Sequence, residues 1–118
     1  MIMIFVLVAF PPSFTRHPLP NRMLAALNGN ITIPCRPEAA PAVTIQWLHN
    51  GLAMALTAGA VITQGPQLLD NGDLQITKVT INDGGIYTCQ ADNNLGSAQT
   101  TTELNTSGNL FSYLTKVH

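Results

Sequence analysis

"NDGGIYTC", Asn82 to Cys89, sets an acid, a glycine, a tyrosine and a cysteine at every second position: Asp83, Gly85, Tyr87 and Cys89. A period of two belongs to a β-strand, whose successive side chains point to opposite faces. Tyr87 and Cys89 therefore share one face, the inward one. Gly85 lets the chain turn sharply into the strand. Asp83 is placed to hydrogen-bond that turn or to accept a cation from a neighbouring strand. The only other cysteine, Cys35, lies far upstream.

The same period recurs on both sides of this run. "IYTCQA" carries it on to Ala91. "NITIPC" sets Ile31, Ile33 and Cys35 against Asn30, Thr32 and Pro34, "VTIQW" sets Val43, Ile45 and Trp47 against Thr44 and Gln46, and "DLQIT" puts Leu74 and Ile76 on one face. Turn signals separate these runs at the spacing of an all-β sandwich. "HNG" (His49 to Gly51) supplies the Asn-Gly pair of a tight hairpin, and "DNGD" (Asp70 to Asp73) and "NNLG" (Asn93 to Gly96) do similar work. "LAMALTAGAVI" (Leu52 to Ile62) has helix-forming residues but no caps, and reads as an irregular connection with a short edge strand. "PPSFTRHPLPN" (Pro11 to Asn21) holds four of the eight prolines and reads as an extended entry segment.

Two cysteines so far apart are either buried thiols in a reducing compartment or the ends of one long closed loop in an oxidising one. If both face inward on opposed sheets, a bridge can join layers packed about 10 Å apart. Trp47, twelve residues after Cys35, would then pack against the sulfurs. Tyr87, two residues before Cys89, stands where a tyrosine corner bonds back to upstream backbone.

Composition narrows the function. The 118 residues suit one domain. Charged residues are 9%, against a usual share of about 25%. Five basic and six acidic residues leave a net charge of −1, which argues against nucleic acid. The cysteines are not in close pairs and the histidines are scattered, so no metal site or cofactor is expected. "MIMIFVLVAF" (residues 1–10) is too short to span a bilayer as a helix. It has the length of a signal-peptide apolar region without the basic start or the A-x-A site. Three readings stand for it, in this order: a truncated secretion signal, a gene-model artefact, or part of a strand.

Cys35, Trp47, Leu74, Asp83, Gly85, Tyr87 and Cys89, in this order and spacing, resemble an immunoglobulin domain. The interval from Trp47 to Leu74 is too short for the extra hairpin of a variable-type domain, so the I-set kind fits. "CRPEAAP", "INDGGIYTCQADNNLGSA" and "PPSFTRHPL" more narrowly resemble the contactin-type I-set domains of neural cell-adhesion proteins. The resemblance covers residues 11–104, with 1–10 an apolar N-terminal segment and 105–118 a tail. It implies an all-β, two-sheet immunoglobulin-like sandwich with Greek-key connections and one inter-sheet disulfide between Cys35 and Cys89. Three departures stand out. Val43 occupies a position where the family usually has proline. No basic residue lies between Gly51 and Gln67 to pair with Asp83, which must then find backbone donors or cost stability. "LFSYLTKVH" is too short and polar for a lipid-anchor signal.

The resemblance implies a non-enzymatic, extracellular adhesion or recognition module with protein partners. Small-molecule substrates are not expected, and membrane association comes only through a parent chain. Serines, histidines and aspartates form no recognisable nucleophile setting, so no catalytic residue is named. Asn30 ("NIT") and Asn105 ("NTS") are candidate N-glycosylation sites, Asn105 following the last predicted strand. The outward set of one sheet is Thr44, Gln46, Leu48, Ile86, Thr88, Gln90, Gln99, Thr101 and Glu103, nearly uncharged. Within it Gln46, Leu48, Ile86, Gln90 and Gln99 are the candidate interface. The bland alternative is an ordinary solvated sheet on a domain that serves as a rigid spacer. The other function classes are an intracellular I-set module of a muscle-type scaffold, with reduced cysteines, and a small secreted single-domain ligand.

Overall fold

The computed structural model describes residues 8–59 and 63–106. The start of the apolar N-terminal segment and the tail beyond Thr106 lie outside them. Ten strands follow in order: β1 (Phe10–Ser13), β2 (Arg22–Leu24), β3 (Ile31–Ile33), β4 (Glu38–Ala40), β5 (Thr44–His49), β6 (Leu52–Ala53), β7 (Gly65–Leu68), β8 (Leu74–Thr77), β9 (Gly85–Asn93) and β10 (Gly96–Asn105). A 3-10 turn, Ile81–Asp83, leads into β9.

The strands form a five-stranded sheet, β2-β10-β9-β5-β6, a three-stranded sheet, β3-β8-β7, and the separate pair β1-β4. β2 runs parallel to β10, and all other pairings are antiparallel. Among the described residues only β6 intervenes between β5 and β7, which is compatible with the I-set arrangement. Asn50 and Gly51 take φ of 52° and 81°, the positive pair that a two-residue hairpin between β5 and β6 needs. β1 forms within the proline segment because it pairs on one side only, with β4, and so misses no ladder donor at Pro11 and Pro12. It begins one residue before the expected entry at Pro11.

The inward residues of the two sheets make one core. Ile33, Cys35, Leu74 and Ile76 from one side meet Trp47, Tyr87, Cys89, Ala91 and Leu104 from the other, all buried. Cys35 and Cys89 are joined, with their Cα atoms 6.2 Å apart. Trp47 lies directly opposite Cys89 across the β5–β9 ladder. Its indole N–H, which must find an acceptor when buried, donates to the Gly72 carbonyl at 2.9 Å. Gly72 sits in the β7–β8 turn, so this hydrogen bond also crosses between the sheets. Next to it the buried Asp73 accepts from the Cys35 amide (2.9 Å), from Arg36 (3.0 Å) and from Asn71 (3.2 Å). Val43 is half-buried against this core.

The other end of the sandwich closes around Tyr87. Its hydroxyl donates to the Asp83 carbonyl at 2.5 Å. The His49 ring stacks on it, with centroids 4.3 Å apart and planes 8° from parallel, and His49 Nε2 meets the Gly84 carbonyl at 2.9 Å. Asp83 has turned its carboxylate onto the start of its own 3-10 turn, accepting from the Thr80 amide (2.7 Å) and hydroxyl (3.2 Å). Backbone and hydroxyl donors thus stand where a cation would otherwise pair. Gly85 holds φ of +131°, and a Cβ there would run into the Asn50 carboxamide. That carboxamide accepts the Ile86 amide at 2.8 Å, while the Asn50 amide donates to the Ile86 carbonyl at 2.7 Å. Glycine is required because two strand ends close on this spot.

Removing the indole takes away both a large buried volume and the donor to Gly72. Trp47→Ala is expected to destabilise the domain by about 3 to 5 kcal/mol; a denaturant midpoint unchanged from the parent would contradict this. Tyr87 yields a test in pH. Burial, with the Asp83 charge second, pushes its phenol far above the ordinary value. The unfolded phenol ionises near about pH 10 and the folded one only well above that. The unfolded state therefore binds fewer protons in alkali, so the stabilisation is complete below about pH 10 and is lost as pH rises beyond it. Thermal melts across this range should show the parent losing more stability than Tyr87→Phe. Equal losses in the two proteins would contradict the assignment.

Candidate protein-contact face

β5, β9 and β10 place one row of side chains outward for every row in the core. Register sets Gln46 opposite Gln90 and Gln90 opposite Gln99, so three carboxamides cross three strands. The next row is Leu48, Thr88 and Thr101, and beyond it Ile86 lies opposite Glu103. Directly opposed residues have Cβ atoms about 4.5 to 5.5 Å apart, close enough to act as one surface.

These side chains differ in availability. Gln99 is exposed, Gln90 and Leu48 are half-buried, and Ile86 is 40% exposed despite its size. Gln46 is exposed, yet its amide is turned back on the chain, donating to the Trp47 carbonyl (2.9 Å) and the Met54 carbonyl (3.1 Å). It braces β5 against the stretch after β6. Thr88 points outward but is buried among its neighbours, its hydroxyl 3.3 Å from that of Thr101. Ile86, Gln90 and Gln99 are thus the accessible centre of the face, flanked by Leu48.

Charge gathers at two margins. Glu103 faces Arg22 of β2 at 3.8 Å, an exposed pair worth little in stability. Asp92, which register adds to this face opposite Thr44, accepts the Ser97 hydroxyl. The centre stays uncharged. Both edges of the sheet are short, β2 with three residues and β6 with two. Short edges discourage strand addition, which leaves the face as the larger accessible surface of this sheet.

The sequons separate. Asn30 is exposed just before β3, with its Oδ1 accepting the Lys78 amide at 3.1 Å. Asn105 does not follow the last strand. It is the final residue of β10, half-buried and in register with Leu24 of β2, because the parallel β2–β10 pairing extends the ladder that far.

At the opposite end of the sandwich an open cleft of about 650 Å³ is lined by His17, Arg36, Glu38, Val43, Leu68 and Asp70, among others. Two of its charged groups are already engaged: Arg36 with Asp73 at 3.0 Å and Glu38 with Arg16 at 3.3 Å. Cys35, also on its wall, is bonded to Cys89. Among the described residues no group of three or more His, Cys, Asp or Glu could hold a metal ion.

Sequence reasoning missed three residues that shape this architecture. Asp73 was visible only as a turn residue of "DNGD", Asn50 only as half of an Asn-Gly hairpin, and His49 only as its neighbour. Each acts through a partner more than thirty positions away in sequence, such as Cys35 for Asp73, Ile86 for Asn50 and Gly84 for His49.

Residues 11–93 match the family model described as Immunoglobulin domain. Human Contactin-1 is 36% identical over 95 residues, covering 80% of this chain and 9% of that protein. Contactin of Drosophila melanogaster is 40% identical over 92 residues, covering 76% of this chain and 6% of that protein. Among solved structures, Sidekick-1 immunoglobulin domains 1-5 matches with a TM-score of 0.70 at 31% identity, over 82% of this chain and 19% of that one. The chain spans less than a tenth of the length of these contactins.

Proposed function

The chain belongs to the immunoglobulin domain family, and from that premise we propose that it is an extracellular module of a cell-adhesion or recognition protein, contacting another protein through the outer face of β5, β9 and β10. The observation that carries this is the face itself. A bridged core backs three paired strands behind an uncharged centre of Gln90, Gln99 and Ile86. Carboxamides both donate and accept, so they suit a protein surface rich in backbone groups, and Ile86 and Leu48 add apolar area that a partner would take from water. The closed Cys35–Cys89 pair supports a secretory-pathway location, where such bonds persist. Likeness to the contactins supports the adhesion reading. The module works by contact and not by chemistry: the cleft described above has its Arg36 and Glu38 paired and its cysteine bonded. Partners are other cell-surface proteins, immunoglobulin-like ones included, and attachment to a membrane comes through the parent protein.

The test is binding of the full chain, displayed as a dimer, to neuronal surfaces and to cells presenting immunoglobulin-type proteins. Gln90→Arg combined with Gln99→Arg sets two charges in the centre of the face and should weaken saturable binding by about tenfold or more. Gln75→Arg, on the other sheet, should leave binding and melting temperature unchanged. Equal binding by all three proteins would move the contact elsewhere. No binding by the parent would make the domain a spacer.

A further inference from the structure

The two sequons are equivalent in sequence and unlike in the fold. Asn30 stands on a braced platform where the turn before β3 crosses the turn after β8. The Asn28 amide donates to the Val79 carbonyl at 2.8 Å and the Val79 amide to the Gly29 carbonyl at 2.9 Å. Asn28 and Lys78 both take left-handed backbone conformations, with φ of 68° and 54°. The Asn30 side chain completes the crossing through its Oδ1, which accepts the Lys78 amide. Pinning the oxygen of a planar carboxamide fixes its nitrogen on the far side, at an exposed position. Thr32, the third residue of the sequon, is exposed as well, on the outward face of β3.

Asn105 is built in. Its carbonyl accepts the Ala25 amide at 2.9 Å, and the residue is half-buried at the end of β10. Thr106, the middle residue of the second sequon, is buried with its hydroxyl donating to the Ile81 carbonyl at 3.2 Å. By register an oligosaccharide on Asn105 would stand beside Leu24 on the margin of the contact face.

We propose that Asn30 carries an N-linked oligosaccharide and that Asn105 does not. This rests on the extracellular reading above, since the donor is a lipid-diphosphate-linked oligosaccharide of the secretory pathway. In the transfer, Nδ2 of Asn30 loses a proton and bonds to C1 of the first sugar. The bond from C1 to the diphosphate oxygen breaks, and the lipid diphosphate leaves with the electron pair. No redox change is involved. The amide carbonyl survives, so the hydrogen bond from Lys78 is kept in the product. β3 is the edge strand of its sheet, and a bulky solvated group at its start hinders edge-to-edge pairing there. The face of β5, β9 and β10 remains bare. The sugar thus leaves the contact side of the domain free.

The test is expression of the full chain in secretory mammalian cells, with intact masses and peptide maps of the medium protein before and after enzymatic deglycosylation. One glycan is expected, on Asn30. Asn30→Gln and Thr32→Ala should each abolish it, the latter without touching the acceptor, while Asn105→Gln should leave the mass shift in place. Secreted, disulfide-bonded protein with Asn30 unmodified, or with Asn105 modified, overturns the assignment while the extracellular reading stands. Protein retained in the cell with both thiols free overturns that reading and the glycan with it.

Discussion

The bond between Cys35 and Cys89 is the constraint on which the other contacts depend. It joins the chain just beyond β3 to the middle of β9, and so one sheet to the other, through the centre of the core. Two hydrogen bonds lie beside it, one across the layers and one within a layer. Trp47, opposite Cys89 on β5, reaches across to Gly72, and Asp73, the next residue in the same turn, returns to the Cys35 amide. Bridge and indole hold the two layers together at one level, and the carboxylate ties the Gly72 turn to Cys35 within its own layer. Closing so long a loop removes about 4 kcal/mol worth of freedom from the unfolded chain. The two hydrogen bonds matter mainly because their groups are buried and would be costly to leave unpaired.

With that level fixed, each end of the sandwich solves a local problem. At the end where β9 begins, Tyr87, His49 and Asn50 tie three chain segments together, and Gly85 supplies the empty space for their approach. Asp83 is the instructive member. A carboxylate left without a cation needs donors, and the Thr80 amide and hydroxyl provide them within four residues. The absence of a basic residue in the connection from Gly51 to Gln67 is thus met locally. The outer face is backed by this double anchoring, because β5 and β9 are paired along the length of β5.

Much of this was legible in the sequence wherever strands alternate cleanly over several residues. β5, β8 and β9 show the period of two, and their inward members are the core. What stayed hidden depends on contacts remote in sequence. β1 is short and contains two prolines, β4 is short and flanked by two, and β2 earns its place only by lying parallel to β10. The same holds on the face. Alternation placed Gln46 and Thr88 outward, but could not reveal that Gln46 braces backbone carbonyls or that Thr88 is covered by its neighbours. The Asn105 sequon fell beyond the expected strand end because ladder length is set by the partner strand.

A rigid contact face requires that the two sheets open together and not separately. Native-state hydrogen exchange on the oxidised domain reads this directly. The Trp47 indole N–H, bonded across the core to the Gly72 carbonyl, should exchange as slowly as the central amides of β9, all through global unfolding. An indole exchanging far faster, while β9 stays protected, would show that the layers part on their own and would contradict a face held rigid from behind.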